Sequence, residues 1–83
     1  MNQQEFRVKA DTSPNKLAAA LIGATKDQEV VCVSGGLDAL KRLTYALCIA
    51  NTVAGTQLQA KFDFSGEKVP ESAFRVKALI TRG

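Results

Sequence analysis

Histidine is absent from this sequence of 83 residues, and cysteine, proline and tyrosine are scarce, at two, two and one. The commonest general base and a frequent zinc ligand are therefore missing. The two cysteines, Cys32 and Cys48, lie 16 positions apart inside apolar runs. This pattern predicts small buried side chains in a reducing compartment and argues against a metal site. We expect neither a metal nor a cofactor.

Long apolar runs are also missing. No stretch approaches the roughly 18 apolar residues that cross a membrane. The first residues, MNQQE, have neither the basic flank nor the apolar run of a signal peptide. We therefore expect a cytoplasmic protein, with residues 1–83 forming one small domain. A chain this short buries only a thin core and often relies on a partner to bury more. The net charge of +3, from 11 basic and 8 acidic residues, permits nucleic-acid binding without demonstrating it.

Four strands are predicted. Apolar and polar residues alternate over residues 5–10, 57–64 and 74–82, which indicates half-buried strands. Residues 29–33 are apolar after the first, which indicates a central strand covered on both faces, or nearly so. The four phenylalanines all take inward positions, which argues against an aromatic platform for single-stranded nucleic acid.

Two helices separate the first three strands. Ser13 is a good N-cap and Pro14 suits the first helical position; this helix ends at Gly23 or in the polar residues 25–28. The second helix runs from about Leu37 to Asn51. With right-handed crossovers, the order β-α-β-α-β-β gives a two-layer α/β (α+β) fold with both helices on one face of a four-stranded mixed sheet.

The outward positions of the first, third and fourth strands are mostly basic. The segment FRVKA occurs at residues 6–10 and again at 74–78, so both strands have one apolar and one basic face. The outward residues are Arg7, Lys9, Lys61, Arg75 and Lys77, against Glu5 and Asp63. The open face of the sheet is therefore expected to be basic; the alternative is an ordinary solvated edge whose lysines oppose aggregation.

The second helix changes character along its length. Leu40, Leu43 and Leu47 form one apolar stripe, and Asp38 precedes Arg42 by four residues, which favours an ion pair within the helix. Residues 46–50, ALCIA, are apolar all round, which predicts burial on more than one side. In so small a domain the second cover is expected from another subunit. The predicted dimer residues are Tyr45, Ala46 and Ile49.

The segment VVCVSGGLDALKRL, residues 30–43, passes from a strand through two glycines into a helix. Its SGGLD loop is similar to the phosphate-binding loop of the ATP pyrophosphatase family. That family usually has serine or threonine after the aspartate, where this chain has Ala39, and it builds a much larger domain. The alternative is a tight turn in which Gly35 and Gly36 allow close backbone packing, with an anion site at the helix start as a further option.

More of the chain resembles the stage V sporulation protein S (SpoVS) family. The segments FRVKADTSPNKLAAALIGA and VVCVSGGLDALKRLTYALCIAN carry the resemblance, which covers residues 6–51 and extends more loosely to Ile80. The SpoVS family is itself similar to the Alba family of small dimeric nucleic-acid-binding proteins. The resemblance implies the same β-α-β-α-β-β order and a regulatory nucleic-acid-binding protein.

The resemblance also implies where phosphate is bound. In Alba proteins, basic residues at the start of the first helix contact the phosphate backbone, and Lys16 matches that position. Arginine-glycine-arginine is common at the second turn, where this chain has Ser34-Gly35-Gly36. The last hairpin reaches a groove of the nucleic acid, and here it offers only Lys68, beside Glu67 and Glu71.

We therefore expect a non-enzymatic, dimeric protein that binds the phosphate backbone of DNA or RNA. The expected contacts are Lys16, Lys41, Arg42, Lys68 and the amide groups of Gly35 and Gly36. The alternative is a protein-interaction module in which the apolar second helix and a strand edge bind a partner. An ATP-using enzyme is the third hypothesis.

Overall fold

The computed structural model describes residues 4–64 and 75–83 and has the predicted order of elements. The strands are β1 (Gln4–Val8), β2 (Val30–Gly35), β3 (Leu58–Phe64) and β4 (Arg75–Arg82), and the helices are α1 (Pro14–Ala24) and α2 (Leu37–Val53). The predicted boundaries are correct to within a few residues. Ala10, placed inward on the first strand, instead lies exposed in the turn that follows β1.

The four strands form one mixed sheet in the order β1-β2-β4-β3. β1 is parallel to β2, and β4 is antiparallel to both of its neighbours. In register, Val30, Cys32 and Ser34 of β2 oppose Ile80, Ala78 and Val76 of β4. These six residues are all fully or almost fully buried, so alternate positions of the two central strands face the core.

The helices cover one face of this sheet. α1 packs against α2, and α2 contacts β1, β2 and β3. Leu17, Ala18 and Leu21 of α1 join the inward strand residues in a single hydrophobic cluster. The predicted two-layer fold with both helices on one face is therefore confirmed. Helix α1 begins as predicted, with Ser13 as its N-cap and Pro14 in its first turn.

The buried side of α2 differs from the predicted leucine stripe. Ala39, Leu43, Ala46 and Ala50 are 0% exposed, and they recur at helical spacing. Leu40 and Leu47 are half-buried beside them. Three of the four central positions are alanine, and small side chains let the helix backbone lie close to the sheet. The core therefore uses the small residues of α2, and the leucines flank them.

No helix among the described residues is long and apolar enough to cross a membrane. The parts of the chain that the structure describes also hold no group of three or more metal-ligating side chains close enough to share an ion. Cys32 is buried and Cys48 is exposed, and both are free thiols. Burial of Cys32 agrees with the expectation; exposure of Cys48 corrects it, because Cys48 faces away from the core on α2.

Candidate nucleic-acid interface

The topology brings the starts of both helices to one edge of the sheet. β1 and β2 are parallel, and each passes through a short turn into a helix. The first residue of β4, Arg75, pairs with Gly35 at the end of β2, so β4 begins at the same edge. Five basic residues of the described chain lie here against two acidic ones. We call this set the basic edge: Lys9, Lys16, Lys41, Arg42 and Arg75, with Asp11 and Asp38.

Lys16 lies at the start of α1, where the prediction placed a phosphate contact. The Lys16 amide donates a 3.5 Å hydrogen bond to Oγ of the N-cap Ser13, and the Lys16 side chain is exposed. The first turn of α1 contains no acidic residue. The positive end of the helix dipole is therefore reinforced by a cation, which favours an anion at this end.

The Gly35-Gly36 turn, at the start of α2, differs from the start of α1 in its capping and its charge. Gly36 is the N-cap of α2 with φ of 90°, a conformation that strains any other residue, and no side chain caps this helix. A Cβ atom at Gly35 would meet nothing within 4 Å, so close packing requires no glycine there. Asp38 lies in the first turn of α2. Its carboxylate opposes an anion at this helix end, which makes the turn the weaker of the two helix starts for phosphate.

The residues next to this turn also differ from those of an ATP-binding loop. Ala39, which takes the place of the family's serine or threonine, is 0% exposed and lies in the hydrophobic core. The Ser34 hydroxyl is buried and has no hydrogen-bond partner. Neither position offers an accessible hydroxyl to a nucleotide.

Arg42 holds the β1–α1 turn against α2. Its Nη1 donates a 3.1 Å hydrogen bond to the Thr12 carbonyl, and the turn itself is closed by bonds between Lys9 and Thr12 in both directions. The predicted Asp38–Arg42 ion pair is wrong, because Arg42 reaches the Thr12 carbonyl instead. Within the described residues, the ion pair that forms is Arg7–Glu5, at 4.0 Å. Arg42 therefore positions the basic edge, and its remaining N–H groups are the ones available to a phosphate.

A groove runs along the outer side of α2 beside the start of α1, with a volume of about 660 Å³. It is lined by Pro14, Asp38, Lys41, Arg42, Thr44, Tyr45 and Cys48. Tyr45 is 60% exposed and Lys41 is exposed. Lys41, Arg42 and Asp38 therefore belong both to the basic edge and to the lining of this groove.

The three residues predicted at a dimer seam have different positions. Tyr45 is exposed and Ile49 is half-buried against the core. Ala46 is 0% exposed and belongs to the hydrophobic core of its own chain. Placing Ala46 at a surface seam is therefore wrong, because the apolar segment 46–50 turns Ala46 and Ala50 toward the sheet.

The sheet face opposite the helices carries the predicted charges. Arg7, Lys61, Arg75 and Lys77 are all exposed on it, with Glu5 and Asp63. Lys9 lies beyond the end of β1 and belongs to the basic edge. Lys68, the predicted hairpin contact, lies outside the described residues.

Sequence reasoning did not select Lys9 or Arg75 as phosphate contacts. Both were assigned to the outward strand faces, and only the pairing of Arg75 with Gly35 brings it to the helix starts. The strand order would have been the signal for this placement: if β1 is parallel to β2 and the last strand pairs with β2, then β4 must begin where both helices begin. No protein-family model and no curated protein sequence matches this chain.

Proposed function

We propose that this protein binds nucleic acid through phosphate contacts at the basic edge. The observation that carries the proposal is the convergence of Lys9, Lys16, Lys41 and Arg75 at the edge where both helices begin. Clustered cations beside a helix N-terminus are the arrangement that binds phosphate backbones. The resemblance to SpoVS and Alba proteins implies a contact at Lys16, which supports the same edge.

Phosphate contacts are favoured over base stacking. Among the described aromatic side chains only Tyr45 is exposed, since Phe6 and Phe62 are half-buried toward the core. Stacking of single-stranded bases needs several exposed rings. Binding through phosphate contacts is expected to depend little on sequence and strongly on salt.

The test is a titration of duplex DNA and of duplex RNA at two salt concentrations with Lys16→Glu and Lys26→Glu. Both residues are exposed and both variants change the charge equally. Lys26 follows the other end of α1, about 15 Å from Lys16 along the helix axis. Lys16→Glu should weaken binding and lower the salt slope by about one unit, whereas Lys26→Glu should leave affinity within about twofold.

Two results would contradict the proposal: no binding to either duplex at low salt, or equal weakening by the two variants. Equal weakening would show that net charge alone, rather than the basic edge, attracts the nucleic acid.

A protein-interaction module is the second candidate function. The observation that favours it is the exposure of Leu37, Tyr45 and Val53 along α2, at 47%, 60% and 81%. Of these three, Tyr45 lines the groove beside α2, and an exposed, largely apolar side chain at a groove is typical of partner sites. This candidate predicts no nucleic-acid binding at low salt, together with loss of partner binding in Tyr45→Glu.

We also propose that the chain is not an enzyme and acts in the cytoplasm. The sequence has no histidine, and the structure places Ala39 in the core where an ATP loop has a hydroxyl. Free thiols at Cys32 and Cys48 fit a reducing compartment. Millimolar ATP should therefore leave the melting temperature unchanged, and a clear rise would support the ATP hypothesis.

A further inference from the structure

The sheet face opposite the helices has an apolar centre that no described residue covers. Val31 and Val33 of β2 and Leu79 of β4 point away from the core and are half-buried. They do not belong to the hydrophobic cluster formed with the helices. A strand that is apolar on both sides is typical of a sheet covered on both faces. The described residues supply one cover, on the helix side, so β2 indicates a second cover beyond them.

The charges around this apolar centre alternate in sign. One row across the sheet, read from β1 to β3, is Glu5, Val31, Leu79 and Lys61. The next row is Arg7, Val33, Lys77 and Asp63. Each row therefore ends in opposite charges, and the two rows have opposite polarity. We call these eight residues the outer face.

We propose that the outer face packs against the outer face of a second copy of this chain. When the strands of the two sheets are aligned, two-fold symmetry allows two face-to-face arrangements. With the axis along the strands, Glu5 faces the partner's Lys61 and Arg7 faces the partner's Asp63. With the axis across the strands, Glu5 faces the partner's Arg7 and Lys61 faces the partner's Asp63. Opposite charges meet at every corner in both.

The centre of the outer face is also self-complementary. With the axis along the strands, Val31 faces the partner's Leu79. With the axis across the strands, Val31 faces the partner's Val33. In either arrangement Lys77 faces an aliphatic side chain, over which its own methylene stem can pack. A partner of another sequence would have to reproduce this alternation, whereas a second copy supplies it by symmetry.

The size of the outer face predicts a weak dimer. Four strands spaced about 4.8 Å apart give a width of about 15 Å between the outer backbones. An interface of this width belongs to the class that buries less than about 1,200 Å², which is typical of transient association. Lys16, Lys41 and Arg42 of the basic edge lie on the helices, on the other side of the sheet, so dimerisation leaves them free, whereas Arg75 lies beside Lys77 at the border of this contact. The inference is therefore independent of nucleic-acid binding.

The test is sedimentation equilibrium over a range of protein concentrations, without nucleic acid. The wild type should form a dimer that weakens with salt. Glu5→Lys and Lys61→Glu each place like charges opposite one another in both arrangements, twice by symmetry. Each should weaken the dimer at least about tenfold. Reversal of all four corner charges together (Glu5→Lys, Arg7→Glu, Lys61→Glu and Asp63→Lys) should restore it. Leu79→Lys should abolish it, with circular dichroism showing that the monomer stays folded.

Tyr45→Glu and Lys26→Glu are controls that change charge away from the outer face, and both should dimerise normally. If the double variant Glu5→Lys with Lys61→Glu dimerises again, the axis runs along the strands. If instead Glu5→Lys with Arg7→Glu dimerises again, the axis runs across them. A wild type that stays monomeric at all concentrations, single variants without effect, or a dimer broken by Tyr45→Glu would each overturn the proposal.

Discussion

Ser34 is the described residue whose polar side chain is least satisfied. Its hydroxyl is 0% exposed and has no hydrogen-bond partner, although it lies between Val8 and Val76 on the core side of the sheet. A buried hydroxyl without a partner costs about 1–3 kcal/mol. Ser34→Ala should therefore raise the free energy of unfolding by about 1 kcal/mol, measured by urea denaturation. If Ser34→Ala instead loses more stability than the cavity left by one oxygen atom would cost, the hydroxyl makes a hydrogen bond in solution.

Cys32 and Cys48 allow a matched test of burial. Desolvation raises the pKa of the buried Cys32 thiol to about 12, from an ordinary value of 9.0. The unfolded chain therefore loses this proton above pH 9, while the folded chain keeps it. The stabilisation is complete below pH 9 and declines by roughly 1.4 kcal/mol per pH unit between pH 9 and 12. Urea denaturation across this range should show the decline, and Cys32→Ala should remove the part due to Cys32.

Cys48→Ala is the control for this experiment, because Cys48 is exposed. Its replacement should leave the alkaline decline unchanged. A wild type as stable at pH 11 as at pH 9 would contradict the burial of Cys32. Below pH 9, a thiol reagent should modify Cys48 in the folded protein and reach Cys32 only after unfolding.

At the scale of an element, the start of α1 should be stabilised by Lys16→Glu, the substitution that also tests nucleic-acid binding. Ser13 is the N-cap and Lys16 is three residues later, so Lys16→Glu creates a capping box. A carboxylate at this position also suits the helix dipole, at about 0.3–1 kcal/mol. We expect the free energy of unfolding to rise by about 0.5 kcal/mol in chemical denaturation. Weaker nucleic-acid binding by this variant could then not be due to unfolding, whereas a destabilised variant would leave that explanation open.

The end of α2 is joined to the start of β3 by one side-chain amide. Asn51 accepts bonds from the Leu58 amide at 2.8 Å and the Thr56 hydroxyl at 3.0 Å, and it donates to the Leu58 carbonyl at 3.1 Å. Asn51→Ala removes all three bonds and should lower the free energy of unfolding by about 1–3 kcal/mol. Asn51→Asp keeps the two acceptor contacts and should cost less.

Thr52→Ala, one position further along the exposed end of α2, is the matched control and should change stability by less than about 0.5 kcal/mol. Equal effects of the changes at 51 and 52 would show that the bridge from α2 to β3 contributes nothing.

At the scale of the whole molecule, local patterns predicted the elements well. Period-two alternation identified the inward residues of β3 and β4, such as Leu58, Val76 and Ile80, because one face of each strand meets the core. Ser13 and Pro14 identified the start of α1, because capping chemistry is local. These are the cases in which a short segment carries its own information.

Contacts between distant segments could not be predicted in this way. The Arg42–Thr12 bond joins residues 30 apart, and a helix pattern alone favoured Asp38 as the partner of Arg42. The position of Ala46 failed for a similar reason: in a segment apolar all round, periodicity does not say which side meets the sheet. The pairing of Arg75 with Gly35 depends on the strand order, so the basic edge became visible only once β4 was placed beside β2.

The place of β4 between β2 and β3 has one further consequence. Residues 4–53 contain β1, β2 and both helices, while β3 and β4 form a hairpin that joins this unit by pairing β4 with β2. The described covalent link between the two parts is the short segment 54–57, which includes Gly55 at φ of 69°. The hairpin therefore completes the sheet much as a separate peptide completes an open sheet by strand addition.

The protein can thus be treated as two complementary parts. Peptides covering residues 1–54 and 56–83 should assemble one to one when mixed, with recovery of the circular dichroism of the intact chain. Failure to assemble at high micromolar concentration would show that the link is needed to bring β4 to β2. Assembly would make the break at Gly55 a natural site for a split reporter, in which two fusion partners are brought together only when the sheet closes.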